Sequence, residues 1–239
     1  MSNAPLRIFI GYDHRQAVAY NVLQFSILRR AALPVAITPI VLPTLPLTRQ
    51  GLTPFTFSRF LVPWLCDFRG WALFMDIDYL CLADISGLFR LADERYAAMV
   101  SKNVKRFEWA SMILFNCGHP ANATLTPDYV QDPQRCRAPH GLDWLAPELV
   151  GDLPREWNHL VGYDPPRKDA KLVHYTQGMP IYEETSGSEY AAEWMSEHEV
   201  SNETQGWQEL MAGSIHAANT ATGRRVAKLH AEALPQPAR

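Results

Sequence analysis

Two acids one residue apart, Asp76 and Asp78, stand inside the run 71–82, WALFMDIDYLCL. The run opens on unbroken apolar residues, which suits a strand buried on both faces of a parallel sheet. In an extended chain residues i and i+2 point the same way, so both carboxylates are expected on one side. Like charges held together repel, and a divalent cation with oxygen ligands relieves that repulsion. Metal binding is therefore the chemistry these residues imply, and the elements around them must set the strand in place.

The run 6–10 (LRIFI) reads as a first strand ending at Gly11-Tyr12-Asp13, followed by a helix with Val18, Val22, Phe25 and Leu28 on one face. Ligands in open α/β sheets sit at the carboxyl ends of strands, and a helix amino terminus there favours anions. Gly11 would let the backbone approach a ligand and Tyr12 can stack on a base. Asp13 is either a helix cap or an acceptor for a base N–H. A second strand is expected at 36–42 and an extended loop at 43–54. Phe57, Phe60, Leu61, Trp64, Leu65 and Phe68 then fall at helical spacing, with a kink expected at Pro63. Arg59 on that helix is either ion-paired or able to reach a diphosphate.

Beyond the acidic pair, residues 79–82 are expected to continue extended into a turn at 84–87. Strands follow at 96–101 and 110–117. Residues 118–140 read as loop with a short helix near 127–131, and 143–150 as helix-like. A last strand at 171–176 (KLVHYT) carries His174, with Gly178 just after it. Ser186 and Glu189 form a capping-box pattern ahead of Tyr190, Ala191, Trp194 and Met195, and Ser201 is expected to cap a helix holding Trp207, Leu210, Met211 and Ile215. The Ala- and Pro-rich end is expected to fray.

At 239 residues, 47% hydrophobic and 20% charged, the chain can bury a full core, and its net charge of −3 disfavours a general nucleic-acid binder. Cys66, Cys81, Cys117 and Cys136 show no C-x-x-C pairing and read as core thiols of a reducing compartment. With no charged-then-apolar leader and no apolar run near the roughly 18 residues that span a bilayer, the expected location is cytoplasmic. No Lys or Arg falls between Lys171 and Arg224, where eight glutamates do; these read as a solvated face of late helices.

Taken in order, the strand and glycine turn, the aromatic helix with Ser58-Arg59-Phe60, the strand into Phe74-Met75-Asp76-Ile77-Asp78, Leu153-Pro154 through Asn158, and Leu172-Val173-His174-Tyr175 resemble the nucleotide-sugar glycosyltransferases of the GT-A fold, most nearly family 8. The resemblance covers about residues 8–182. It implies a single α/β domain over 1–182, with a mixed, mostly parallel sheet flanked by helices, and a helical extension over 183–239 packed on it. It implies that Asp76, Asp78 and His174 hold Mn²⁺ or Mg²⁺, that Arg59, Ile77 and Gly178 lie on the nucleotide side, and that Gly11, Tyr12 and Asp13 line base and ribose. Asp78 and Asp143 are the expected catalytic acids. The donor would be a nucleotide sugar, expected to be a uridine one, and the hexose acceptor an unidentified glycan, lipid-linked or protein hydroxyl.

The chain departs from that family in three places. Gly141-Leu142-Asp143 stands where Asp-Gln-Asp is usual, so Asp143 alone carries over, with His140 beside the vacant position. Trp109-Ala110-Ser111 replaces Asn-Ala-Gly, and Gly178-Met179-Pro180-Ile181-Tyr182 lacks the phosphate-binding Lys. These departures keep two alternatives open, a non-catalytic nucleotide-sugar binder and a haloacid dehalogenase-type phosphatase with Asp76 as nucleophile.

Overall fold

The computed structural model describes residues 4–103, 106–203, 205–211 and 228. β1 (Leu6–Gly11), α1 (Ala17–Leu28) and β2 (Val35–Ile40) form a first β-α-β unit. Three short helical pieces, α2 (Phe55–Ser58), a 3₁₀ turn at Arg59–Leu61 and α3 (Val62–Leu65), lead into β3 (Trp71–Met75) and β4 (Tyr79–Cys81). Then come α4 (Ser86–Phe89), β5 (Ala98–Val100), β6 (Met112–Asn116), α5 (Pro127–Gln131), β7 (Val150–Asp152), β8 (His159–Leu160), β9 (Leu172–His174), α6 (Ala191–Ser201) and α7 (Trp207–Leu210).

The main sheet has the order β2-β1-β3-β6-β5-β7. Every strand runs one way except β6, which is antiparallel to β3 and β5. β1, β3 and β6 are its apolar centre: Leu73, Phe74, Met75 and Met112 to Phe115 are all fully buried. A second sheet, β4-β9-β8, stands beside it. The first of two compact units ends at Ser201, so α6 belongs with these sheets and α7 to the second unit. Among the described residues no helix is long and apolar enough to cross a membrane. All four cysteines are free and buried.

Several expectations change. α1 buries Ala19, Val22, Leu23, Ser26 and Ile27, while Leu28 is 55% exposed. Ser26 earns its place inside because its hydroxyl donates to Leu23 O and accepts from Cys81 N. The aromatic helix is broken into three pieces rather than kinked, and Phe68 falls in a left-handed turn after it. The turn at 84–87 leads straight into α4, for which Asp84 accepts from Ser86 N. The helix expected at 143–150 is a 3₁₀ turn running into β7. No capping box forms at 186–189, because the Glu189 carboxylate receives His159 Nε2 and Arg167 N instead. Ser201 is the last residue of α6, donating to His198 O, and does not begin a helix. The helix expected through Ile215 is described only as far as α7 and Met211, and the rest, with the frayed end, lies outside the described residues.

Candidate metal centre

The main sheet releases the chain at Met75. Asp76 N still donates to Ser111 O (2.9 Å), Ile77 and Asp78 form a turn, and Tyr79 enters the second sheet. The expected continuous strand is therefore two strands in different sheets, and the acids meet on the turn between them. Ile77 holds that turn down, its side chain 1% exposed in the core, so any ligand contact at this position falls to the backbone.

β9 brings in the third group. It pairs antiparallel with β4, setting His174 opposite Tyr79, and Tyr175 N donates to Asp78 O at 3.0 Å. His174 Nε2 then lies 3.3 Å from Asp78 Oδ1. Asp76, Asp78 and His174 each offer one ligand atom within 4.8 Å of the others.

Arg59 closes the other side. Its buried guanidinium donates to Ala110 O (2.7 Å) and Phe55 O (3.2 Å), lies over Phe74 and pairs with Asp76, Nη1 to Oδ1 at 2.9 Å. Two of its five hydrogens go to these carbonyls, and its contact with Asp76 is an ion pair. Asp76 Oδ1 and Asp78 Oδ1 are buried with no hydrogen-bond partner among the described residues, and His174 Nε2 is the ring nitrogen that faces them. Unsatisfied buried acceptors cost free energy unless something occupies them. Two carboxylate oxygens and an imidazole nitrogen fit a divalent cation, and the nitrogen favours Mn²⁺ over Mg²⁺.

Burial pushes the Asp76 carboxyl up to about 7, against the pull of Arg59 and with help from Asp78. Burial works against charge on His174, but Asp78, Asp76 and Glu108 together outweigh it and raise the imidazole above its ordinary value. Glu108, in the 3₁₀ segment Arg106–Ser111, adds negative charge felt by both groups. Nothing in its sequence context marks it as part of this centre.

The remaining candidates spread wider. Tyr12 lines a cavity of ≈ 410 Å³ at the carboxyl ends of β1 and β2, with Val41, Gln50 and Thr53. Asp13 caps the turn after β1, accepting from Arg15 N (3.0 Å), and its carboxylate is also paired with the Arg15 guanidinium (2.6 Å). Gly11 makes room for protein rather than ligand: a Cβ there would lie 2.4 Å from Phe55 Cγ. Gly11→Val is expected to destabilise the fold by about 1–3 kcal/mol, read by denaturant unfolding, since overpacking forces ring and backbone apart. Gly178 has φ +117°, and a Cβ there would contact Tyr182 and Thr185. Its need for glycine is conformational.

Asp143 is exposed and lines a separate cavity of ≈ 270 Å³ with Arg135, Arg137 and Trp144, to which none of the three metal-site residues contributes. His140 lies edge-on to Phe57 and Phe60, and burial, then Arg59, pushes it down to about 4.

No protein-family model matches the chain. Protein CDI of Arabidopsis thaliana is 40% identical over 230 residues, covering 83% of this chain and 88% of that protein. The fold recurs in the apo structure of the WbbM bifunctional glycosyltransferase, at 14% identity and TM-score 0.63 over 95% of this chain, which spans 52% of that one. It recurs also in the galactosyltransferase LgtC with donor and acceptor sugar analogues (13%, TM-score 0.60, 87% of this chain and 99% of that one). A third match is apo GlyE from Streptococcus pneumoniae TIGR4 (14%, TM-score 0.61, 87% and 62%). These structures share the GT-A architecture.

Proposed function

Since this chain belongs to the family of Arabidopsis thaliana Protein CDI and carries the GT-A fold, we propose that it is a metal-dependent glycosyltransferase, nearest in kind to family 8, moving a hexose from a uridine diphosphate sugar to a hydroxyl of a glycan, lipid-linked or protein acceptor in the cytoplasm. The observation that carries the reading is the meeting of Asp76 and Asp78, on the turn between the two sheets, with His174 at the end of β9, their ligand atoms within 4.8 Å.

In this reading Asp76, Asp78 and His174 hold Mn²⁺, or Mg²⁺ in its place. When bound, the cation supplies positive charge to the departing diphosphate, the charge that grows as the sugar leaves. Arg59 serves the nucleotide side by fixing Asp76 from beneath, in a place its two carbonyl acceptors determine. Tyr12 offers its ring to the base in the cavity at the ends of β1 and β2. Asp143, by its exposure and position among Arg135, Arg137 and Trp144, suits a contact with acceptor or sugar hydroxyls. The GT-A architecture supports this reading over the phosphatase alternative.

A thermal-shift panel of nucleotides and nucleotide sugars, with and without Mn²⁺, tests the reading, because a ligand that binds the native state alone raises the melting temperature. UDP and one UDP-sugar are expected to stabilise the protein in the presence of Mn²⁺ and to lose most of that effect with EDTA. Equal shifts with and without the metal would refute it. Metal-dependent UDP binding with neither transfer nor hydrolysis of any UDP-sugar would leave a nucleotide-sugar binding protein instead.

A further inference from the structure

A histidine that ligates a metal ordinarily has its second ring nitrogen held by a carboxylate, a carbonyl or water, and that outer bond fixes the ring's orientation. No protein group among the described residues supplies this device to His174: its Nε2 faces Asp78, and its buried Nδ1 has no protein hydrogen-bond partner there. Something else must keep the imidazole from swinging about its χ2 torsion, which is broad for a ring on an sp³ carbon.

Tyr79 lies in the right place. The antiparallel register of β4 and β9 sets it opposite His174, and the two rings stack with centroids 4.3 Å apart and planes 12° from parallel. The phenol is itself immobilised. It is fully buried, its hydroxyl donates to Asn158 Oδ1 (2.7 Å) and it lies 2.8 Å from Ser111 Oγ. Asn158 Nδ2 donates to Ser111 Oγ in turn (3.3 Å). Ser111 O also receives Asp76 N, so one short segment anchors both the tyrosine and the first acid.

Resting on the metal reading above, we infer that Tyr79 is the positioning residue for His174: a ring pinned at its far end by Asn158 and Ser111 serves as the flat wall that orients the imidazole toward the two acids, in place of the usual hydrogen bond to its second nitrogen. The arrangement holds the third ligand ready without placing another charged group in an already acidic pocket. An aromatic residue directly after the acidic pair is the sequence signal of this wall.

The test uses the full chain and two metals alone, Mn²⁺ and Mg²⁺, titrated calorimetrically against the parent, His174→Ala, Tyr79→Phe and Tyr79→Leu. Tyr79→Leu is expected to weaken Mn²⁺ binding about 10- to 100-fold, the range seen when outer-shell partners of metal ligands are removed. It should also lower the Mn²⁺-over-Mg²⁺ preference toward that of His174→Ala, because the nitrogen ligand carries that preference. Tyr79→Phe keeps the wall and loses the pin, and should fall between parent and Tyr79→Leu. A purely structural tyrosine would reduce stability, or both metal affinities alike, and leave the preference intact. That result, or a folded Tyr79→Leu with parent-like Mn²⁺ affinity, overturns the inference.

Should Tyr79→Leu not fold, Tyr79→Phe decides, read by Mn²⁺ affinity and by the ¹⁵N ring signals of His174. A loss of at least about threefold with altered ring signals supports the wall, and parent-like values for both overturn it. A parent that binds no Mn²⁺ removes the metal reading and this inference together, whereas loss in His174→Ala without loss in either Tyr79 variant removes the inference alone.

Discussion

Asp76→Asn is expected to abolish Mn²⁺-dependent nucleotide stabilisation and to lower any transferase activity by roughly 100-fold or more, while leaving the metal-free protein at least as stable as the parent above neutral pH. Both halves follow from the burial of one carboxyl. Asp76 titrates at about 7 in the folded chain against an ordinary 3.8. A raised folded pKa means that the folded state holds the proton more tightly than the unfolded state. The stability this confers is complete below the unfolded value and is lost as pH rises through about 7. The metal-free parent should therefore lose stability between about pH 4 and about pH 7, and Mn²⁺ should restore it at the upper end, where the ionised carboxylate gains a partner. Asparagine keeps the shape without the charge, so the pH slope should flatten and the metal effect vanish. Melting curves at both pH values, with and without Mn²⁺ and UDP, measure all of this. An Asp76→Asn protein that keeps a metal-dependent UDP shift would remove Asp76 from the centre.

Glu197→Ala should be strongly damaging although it lies away from that centre. Glu197 is 3% exposed on α6, and it receives Arg29 Nη1 on both oxygens (3.2 Å each) and Arg30 Nη2 on one (2.5 Å). These arginines lie at the end of α1, so the carboxylate ties the last helix of the first unit to the first. Breaking a buried ion pair from one side commonly costs about 3–5 kcal/mol, because the other charge is left desolvated. Here the Arg29 and Arg30 side chains are 44% and 25% exposed, and water can take over part of their solvation. A loss of about 2–4 kcal/mol is expected, equivalent to roughly 5–12 °C in melting temperature for a chain of this size. Denaturant unfolding of Glu197→Ala checks it, and a change under about 0.5 kcal/mol would mean that Trp194 and the rest of α6 hold the helix unaided.

Glu197 also shows where reading by composition fails. In the sequence it is one of eight glutamates in a stretch without basic residues, the pattern of a solvated face, and its arginine partners lie far back in the chain. Glu189 is similar. Its spacing from Ser186 fits a capping box, yet a buried His159 claims its carboxylate. β7 and β8 escaped for a related reason. Strands of three and two residues are too short to show a period, and they exist because β5 and β9 offer them backbone partners. By contrast β1, β3 and β6 were legible, since apolar runs are local signals.

From sequence alone came two carboxylates able to hold a divalent cation, Asp76 and Asp78, and the buried strand that ends on them, while His174 joined them only through the resemblance to a known family. Side-chain chemistry and apolar patterning belong to the chain itself. Whether those three groups meet was decided by the tertiary structure, through the hydrogen-bond register of β4 with β9, which sets Tyr79 and His174 face to face. The sorting of the other candidates was also tertiary: Gly11 serves Phe55, Asp13 serves Arg15, and Asp143 lines another cavity. Registers and cavities depend on which distant segments pack together, and no local pattern carries that information.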